Sequence, residues 1–430
     1  MAAVYRIREY GSFITGQHIE GCITLPLHTF KQLEDFVLTN SSRDTDVLEL
    51  MGLSARKGVG RVITAKNYVG IITMNDGTTI EILPKIHSAV EDDESGARTK
   101  KLLVDMLRTL RDTPFTSLQT SSVDIDKLNI LEVFIRMFID EVFFIVKRGL
   151  KCGYETIVEN ASFFKGKMLF GQQIKYNHSH KERSYVAYDA YTANRPENRL
   201  LKAALQYLYK QTTSSRNKSD LKTLLNAFAS VEASVDYKSD FSRYIPDRNM
   251  KDYNTALLWC RVFLMGKSFT SFSGSEVALA LLFPMETLFE SYIAALIQKQ
   301  FNADTYSVSV QDKKFHLFDE PRGQFQLRPD IVITRKADGA VFVMDAKWKL
   351  LAEGKTNYGI SQADMYQMYA YQKKYGAQNV TLIYPQTSMM PNAHDIFFVS
   401  QDGVTVRIRF IDLFDVRNSV QRITYEILKI

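Results

Sequence analysis

Arg328-Pro329-Asp330-Ile331-Val332-Ile333, followed by Val341-Phe342-Val343-Met344-Asp345-Ala346-Lys347, is the stretch whose reading decides the fold of the C-terminal part of this chain. Both halves are apolar runs of strand character. Arg335-Lys336-Ala337-Asp338-Gly339 joins them and carries Asp-Gly, a signal for a two-residue hairpin turn. Antiparallel pairing then sets Asp330, at the start of one strand, beside Asp345, at the end of the next. Side chains two apart on a strand share a face, so Asp345 and Lys347 point the same way. Two carboxylates and an ammonium at one sheet end can hold a Mg²⁺ and position an attacking water for phosphodiester cleavage.

The flanking sequence supports this reading. Upstream, Phe283 to Ile297 reads as a helix with Pro284 near its first turn. Glu286 and Glu290 are four apart and lie on one face of it. Downstream, Ile360 to Lys374 reads as a second helix that places Gln367 and Tyr371 one turn apart, and a strand follows at Val380 to Tyr384. The order helix, hairpin, helix, strand resembles the core of the PD-(D/E)xK nuclease superfamily. That resemblance implies that Asp330, Asp345 and Lys347 are the motif proper. It implies that Glu286 or Glu290 is the acidic residue of the first core helix, and that Gln367 and Tyr371 are the Gln-x-x-x-Tyr pattern of several branches.

The resemblance narrows further. Asp345-Ala346-Lys347-Trp348-Lys349, with Gln362 to Tyr371 after it, is similar to the McrC family, the nuclease subunits of McrBC 5-methylcytosine-specific restriction systems. Gly77 to Ile86, Phe164 to Phe170 and Asn198 to Lys202 are similar to the same family, so the likeness touches most of the chain and is loosest over the first hundred residues. It implies a partner, a McrB-like hexameric AAA+ GTPase that carries the methylcytosine reader. It also implies double-stranded, methylated DNA as substrate, and GTP bound by the partner rather than by this chain.

The chain's 430 residues suggest two or three domains. The expected class is a multi-domain α/β protein: a β-rich N-terminal region over 1–150 that engages the partner, a mostly helical region over 151–273, and a PD-(D/E)xK-like α/β nuclease core over 274–430. Hairpin signals mark the first region, notably Tyr68–Met74 and Thr78–Leu83 around Asn75-Asp76-Gly77. Residues 91–97 read as an acidic loop, Lys101 to Arg111 and Asp126 to Arg148 as helices (the latter capped by Asp124 or Asp126), and Gln211 to Ser219 as a polar loop.

A formal charge of +6 is a mild basic excess, compatible with DNA. The cations fall in two sequence clusters, Lys165, Lys167, Lys175, Lys181 and Arg183, and Lys347, Lys349, Lys373 and Lys374. The three cysteines, Cys22, Cys152 and Cys260, lack metal-site or disulfide spacing and suit a reducing cytosol. His178 and His180 read as a surface pair. There is no signal peptide pattern, and no run approaches the roughly 20 apolar residues of a membrane span, so a cytoplasmic location is expected. Gly266-Lys267-Ser268 imitates the end of a P-loop, but Arg261 stands where the first glycine belongs, so any motor must be a partner.

In the expected mechanism Asp330, Asp345 and the Ala346 carbonyl ligate Mg²⁺. Lys347 orients or deprotonates the water or stabilises charge on the phosphate. Glu286 or Glu290 completes the acidic shell, and Gln367 and Tyr371 orient the site. The rival readings are a nuclease coupled to an ATP-driven or sequence-specific partner, and a non-catalytic adaptor that activates an NTPase.

Overall fold

The structure is a computed structural model that describes residues 3–16, 18–40, 50–86, 93–110, 114–117, 129–244, 250–265, 277–387, 389–390 and 395–428. It is a mixed α/β protein. By compactness the chain forms two units: one joins Met1–Ile130 to Ser268–Ile430, and the other is Leu131–Lys267. These limits differ from the three regions read from the sequence, because the chain leaves the first unit and later returns to it.

The strand Val277–Pro284 makes that return. It pairs antiparallel with Tyr68–Met74, which pairs antiparallel with Thr79–Leu83, which pairs parallel with Val4–Arg8. Asn75-Asp76-Gly77 turns the central hairpin as expected. Gly77 has φ 86°, and Asp76 accepts the Thr78 N–H at 2.8 Å. A second four-stranded sheet runs Cys22–Thr24, Ser12–Ile14, Gly60–Ala65, Met51–Arg56. Helix Leu27–Asn40 is amphipathic, and its Phe30, Leu33 and Phe36 enter one core with Phe13, Ile63, Ile72, Ile80 and Leu282. Ala280 and Leu282 are C-terminal contributions to a core otherwise built from the first hundred residues. The strand therefore belongs with the N-terminal sheet, not with the nuclease-like region expected to begin near Gly274, a residue outside those described.

The rest of this unit is built on a six-stranded sheet in the order Tyr306–Val310, Ile331–Arg335, Val341–Ala346, Asn379–Pro385, Thr405–Ile411, Phe397–Val399. The Val341–Ala346, Asn379–Pro385 and Thr405–Ile411 strands are parallel, and the outer pairings are antiparallel. All seven residues of Asn379–Pro385 are buried, as a strand covered on both faces requires. Helix Gln362–Tyr375 covers one face. Ser361 caps it by accepting the Asp364 N–H, and Gly376 ends it at φ 59°, a left-handed position that favours glycine. Its Met368, Tyr371 and Tyr375 pack with Val332, Val343, Val380 and Leu382. Helix Met285–Gln300 starts straight after Pro284 and contacts the Val341–Ala346 strand.

The second unit is less purely helical than expected. Gly153–Ala161 and Ser184–Thr192 form a nine-residue antiparallel pair, extended by Lys167–Met168. Its helices include Pro196–Gln211, Ser215–Ala227 and Lys251–Met265. Residues 211–219 are mostly helix rather than loop. The buried Glu132 carboxylate accepts from the Thr213 and Ser214 N–H groups and from Asn217 Nδ2, satisfying the donors that begin the second of these helices. Polarity that reads as a loop is here the composition of a helix start. Similarly, helix Asp93–Leu107 begins inside the acidic segment read as a loop. Residues 91–92, the proposed caps Asp124 and Asp126, and Gly266-Lys267-Ser268 lie outside the described residues. Among the described residues no helix is long and apolar enough to cross a membrane.

Gly70 shows how tightly the N-terminal sheet closes on Val277–Pro284. Its φ is +137°, and a Cβ there would lie 2.0 Å from the Leu281 carbonyl oxygen. Gly70→Ala should therefore cost roughly 2–4 kcal/mol, through strain at a φ that L residues avoid and through backbone overlap. Urea denaturation of the full chain checks this; an unchanged midpoint would show that the sheet opens without penalty.

Candidate active site

Asp330 directly precedes the Ile331–Arg335 strand, and Asp345 is the penultimate residue of Val341–Ala346. Ile331 lies opposite Met344, so the register carries Asp330 to the level of Asp345. The turn is longer than the two residues expected. Arg335 N–H donates to the Ala340 carbonyl at 2.9 Å, leaving a four-residue loop, 336–339, with Gly339 at φ 74°. Arg335 pairs with Asp338 across it at 2.8 Å. Alternation places Asp330 and Asp345 on the face of Val332 and Val343, which is the face covered by helix Gln362–Tyr375.

Both carboxylates are nearly out of water: Asp330 is 5 % and Asp345 1 % exposed. Asp330 Oδ2 accepts the Ala346 N–H at 2.8 Å, and Oδ1 accepts from Gln311 Nε2 at 3.4 Å. Burial, then the Asp345 and Glu290 charges, push Asp330 up to about 8 against the pull of the Ala346 hydrogen bond. Asp345 is also raised, by burial first, with Lys347 opposing. Lys347 Nζ lies 2.5 Å from Asp345 Oδ2. Burial pulls the Lys347 ammonium down, but Asp345 and further acids outweigh it and hold the group above its ordinary value. Lys347 in this arrangement is a cation, with no lone pair to take a proton from water.

The two glutamates left open by the sequence separate in space. Glu290 faces the aspartates: burial, then Asp345, raise it to about 7. Glu286 is exposed; it acts on Glu290 and on Glu9, Tyr10 and Lys85, and on neither aspartate among the causes of their shifts. Tyr371 is buried, and burial and then Asp345 raise its phenol, which accepts a hydrogen bond from Gln367 Nε2 at 2.7 Å. Gln367 thus reaches the site through Tyr371.

Sequence reading missed three contributors. Asp364, 7 % exposed, pairs with Lys349 at 2.7 Å and acts on both Asp345 and Lys347. Its signal was available, since Ser361-x-x-Asp364 is a helix-start pattern. Glu9 and Lys85 touch Trp348, the residue after Lys347, and nothing in their local sequence announces it. The basic cluster expected near the site is locally neutralised: Lys347, Lys349, Lys373 and Lys374 each hold an acid within 2.7 Å. In the other cluster, Lys165 and Lys175 lie over the Tyr188 and Tyr176 rings. His180 pairs with Glu182 on the surface at 3.0 Å.

Among the described residues no three carboxylate, imidazole or thiolate side chains converge on one point. A cation here would be held by Asp330 and Asp345, with a backbone carbonyl such as that of Ala346 and with water. That donor set suits Mg²⁺, which takes one or two carboxylates and keeps several waters. The crowding of the buried Asp330 and Asp345 beside Glu290, with one ammonium among the three acids, is the observation that favours a cation.

A family model described as McrBC 5-methylcytosine restriction system component matches residues 63–385. No curated protein matches the sequence. Among solved structures, a chain in the refined half-complex from the tetradecameric assembly of Thermococcus gammatolerans McrB AAA+ hexamers with bound McrC has a similar fold. Its TM-score is 0.69 at 18 % identity, covering 99 % of this chain and 100 % of that one. A chain in the cryo-EM structure of the Thermococcus gammatolerans McrBC complex matches at TM-score 0.48 and 18 % identity, over 70 % and 89 %.

The crowding of acids predicts a pH dependence. Asp330 titrates at 3.8 when unperturbed and at about 8 here. Between those values the native chain holds a proton that the unfolded chain releases, so stability falls as pH rises. In EDTA, the urea midpoint should drop from pH 5 to pH 8. Asp330→Asn retains an acceptor for the Ala346 N–H; it should flatten that slope and exceed the wild type at pH 8 by at least about 1 kcal/mol. A slope unchanged by the substitution would mean the carboxylate is not strained.

Proposed function

The chain belongs to the family of McrBC 5-methylcytosine restriction system components, and from that premise we propose that it is the McrC-like nuclease subunit of such a system, a Mg²⁺-dependent DNA endonuclease with a PD-(D/E)xK core. The observation that carries the reading is the pair of buried carboxylates, Asp330 and Asp345, at one sheet end with Lys347 2.5 Å from the second. A Mg²⁺ held by Asp330, Asp345 and the Ala346 carbonyl would supply Lewis acidity and a water of lowered pKa.

The residues divide the remaining work. Lys347, kept protonated by Asp345, stabilises the negative charge that develops on the phosphate. Glu290 completes the acidic shell in preference to Glu286, because its charge acts on Asp330 and it is itself raised by Asp345. Tyr371, bridged to Gln367, fixes the far wall of the site. One such site cuts one strand, so a double-strand break needs two copies of this chain.

The partner is a McrB-like hexameric AAA+ GTPase that brings methylated double-stranded DNA, and this chain stimulates its GTPase. The engaging region expected from the sequence is 1–150. A specific observation favours a second placement. Most apolar residues of the N-terminal sheets are spent on a core. The hairpin unit exposes large apolar side chains at both ends of its long strand pair, Tyr154 and Tyr191 at one and Phe163 and Phe164 beyond the other, with Phe170 and Ile174 on the short helix that follows. Adjacent exposed phenylalanines such as Phe163 and Phe164 are the kind of apolar surface that a partner covers. A fragment ending near Gly153 is a poor test, since it lacks Val277–Pro284. Full-length Phe163→Ser/Phe164→Ser should lose GTPase stimulation while folding normally; unchanged stimulation would return the contact to the N-terminal region.

Asp345→Asn and Lys347→Ala should each lower cleavage of methylated DNA by about a hundredfold or more, leaving complex formation and GTPase stimulation intact. Cleavage should stop in EDTA and return with Mg²⁺ or Mn²⁺. A plasmid-cleavage assay beside a GTPase assay reads both. Cleavage by Asp345→Asn at the wild-type rate would overturn the nuclease assignment and leave the adaptor reading.

A further inference from the structure

We propose that Glu9 and Lys85 are positioning residues for Lys347, acting through Trp348; this rests on the nuclease reading above and deepens it. Trp348 follows Lys347 and is 2 % exposed. Its indole Nε1 donates to the Glu9 carboxylate, at 3.2 Å from Oε1 and 3.1 Å from Oε2. Its backbone carbonyl accepts from Lys85 Nζ at 3.4 Å. Lys85 also donates its own N–H to Glu9 Oε2 at 3.0 Å. Both the side chain and the main chain of the residue after Lys347 are thus held by the N-terminal sheet.

The fold delivers these two residues together. Arg8 lies opposite Leu83 in the parallel pair Val4–Arg8 and Thr79–Leu83, so Glu9 and Lys85 leave the sheet side by side. The Val341–Ala346 strand ends just before Lys347. Beyond it the backbone is tied by Lys347 N–H to the Ile383 carbonyl at 2.9 Å; the next anchor is Trp348. A lysine ammonium rides on a flexible four-carbon stem, so its place against Asp345 depends on how firmly its own backbone is held. The Trp348 ring also packs against Phe289 at 5.2 Å, beside Glu290 on the same helix. Release of Trp348 would therefore disturb Lys347 and Glu290 together.

Burial raises Glu9 to about 7. A carboxylate kept in such a place is costly compared with an apolar side chain. What it gives that an apolar residue cannot is an acceptor aimed at one indole N–H.

The test reads emission on the full chain alone, in a Trp259→Phe background that leaves Trp348 as its one tryptophan, and cleavage with the GTPase partner and methylated DNA added. Glu9→Ala should shift Trp348 emission to the red, raise its quenching by acrylamide, and lower kcat by about ten- to a hundredfold with KM for DNA unchanged, the scale expected of a misplaced catalytic group. Glu9→Gln, which still accepts from the indole, should restore most of kcat and the emission. Lys85→Met is the second variant should Glu9→Ala fail to fold, with a loss in kcat again expected. The proposal is overturned if either destabilising variant folds and cleaves with the wild-type kcat, or if the whole loss falls on KM. It is overturned equally if Glu9→Gln is as impaired as Glu9→Ala. Asp345→Asn runs alongside: if the wild type is as inert as that variant, the nuclease reading fails and this inference with it. If only Asp345→Asn is inert while Glu9→Ala is fully active, this inference alone fails.

Discussion

Two carboxylates held side by side with almost no access to water are the constraint on which the first unit depends. Antiparallel pairing of the strands after Asp330 and around Asp345 forces the two together, and neither can turn away, because both project from a buried sheet face. Like charges in low dielectric repel strongly. The surroundings relieve this only in part, through the Ala346 N–H on Asp330 and the Lys347 ammonium on Asp345. The rest remains as raised carboxyl pKa values. An arrangement so poorly balanced by its own protein groups is suited to a divalent cation, whose charge would complete it.

That constraint spreads outward through a second ring of charge. Lys347 needs Asp345, and both feel Asp364, which is itself paired with Lys349. The Ser361 cap that starts helix Gln362–Tyr375 also fixes where Asp364 stands. The same helix brings Tyr371, with Gln367 bonded to it. Helix capping, a local matter of backbone hydrogen bonds, thereby sets the electrostatics of a site several residues away.

One strand joins the N-terminal sheets to the helix that carries Glu290. Val277–Pro284 is hydrogen-bonded to Tyr68–Met74 and runs directly into helix Met285–Gln300 with Glu290. The sheet that looks from its hairpins like a separate module is thus covalently and non-covalently continuous with the helix that faces the aspartates. The hairpin unit Leu131–Lys267 carries the exposed Phe163 and Phe164 and forms its own compact body. Partner engagement and chemistry can then be assigned to different parts of one chain without cutting it into a linear series of domains.

The local features were legible in the sequence, because they rest on short-range rules. The Asn75-Asp76-Gly77 hairpin, the strands around Asp330 and Asp345, and the helices carrying Glu290 and Tyr371 all follow from period, turn chemistry and caps. The spacing that puts Asp345 and Lys347 on one face is a property of extended backbone alone. Errors of local reading came where polar residues do something other than make loops, as at Ser214 to Asn217, whose N–H groups and amide are claimed by a distant Glu132. What only the tertiary structure decided is which residues meet across long separations in the chain: Glu290 rather than Glu286 beside the aspartates, Glu9 and Lys85 on Trp348, and Val277–Pro284 in the N-terminal sheet. Helix phase leaves both glutamates on one face, and strand pattern does not name a partner strand. Those choices are made by packing and desolvation among segments tens to hundreds of residues apart, and no local periodicity encodes them.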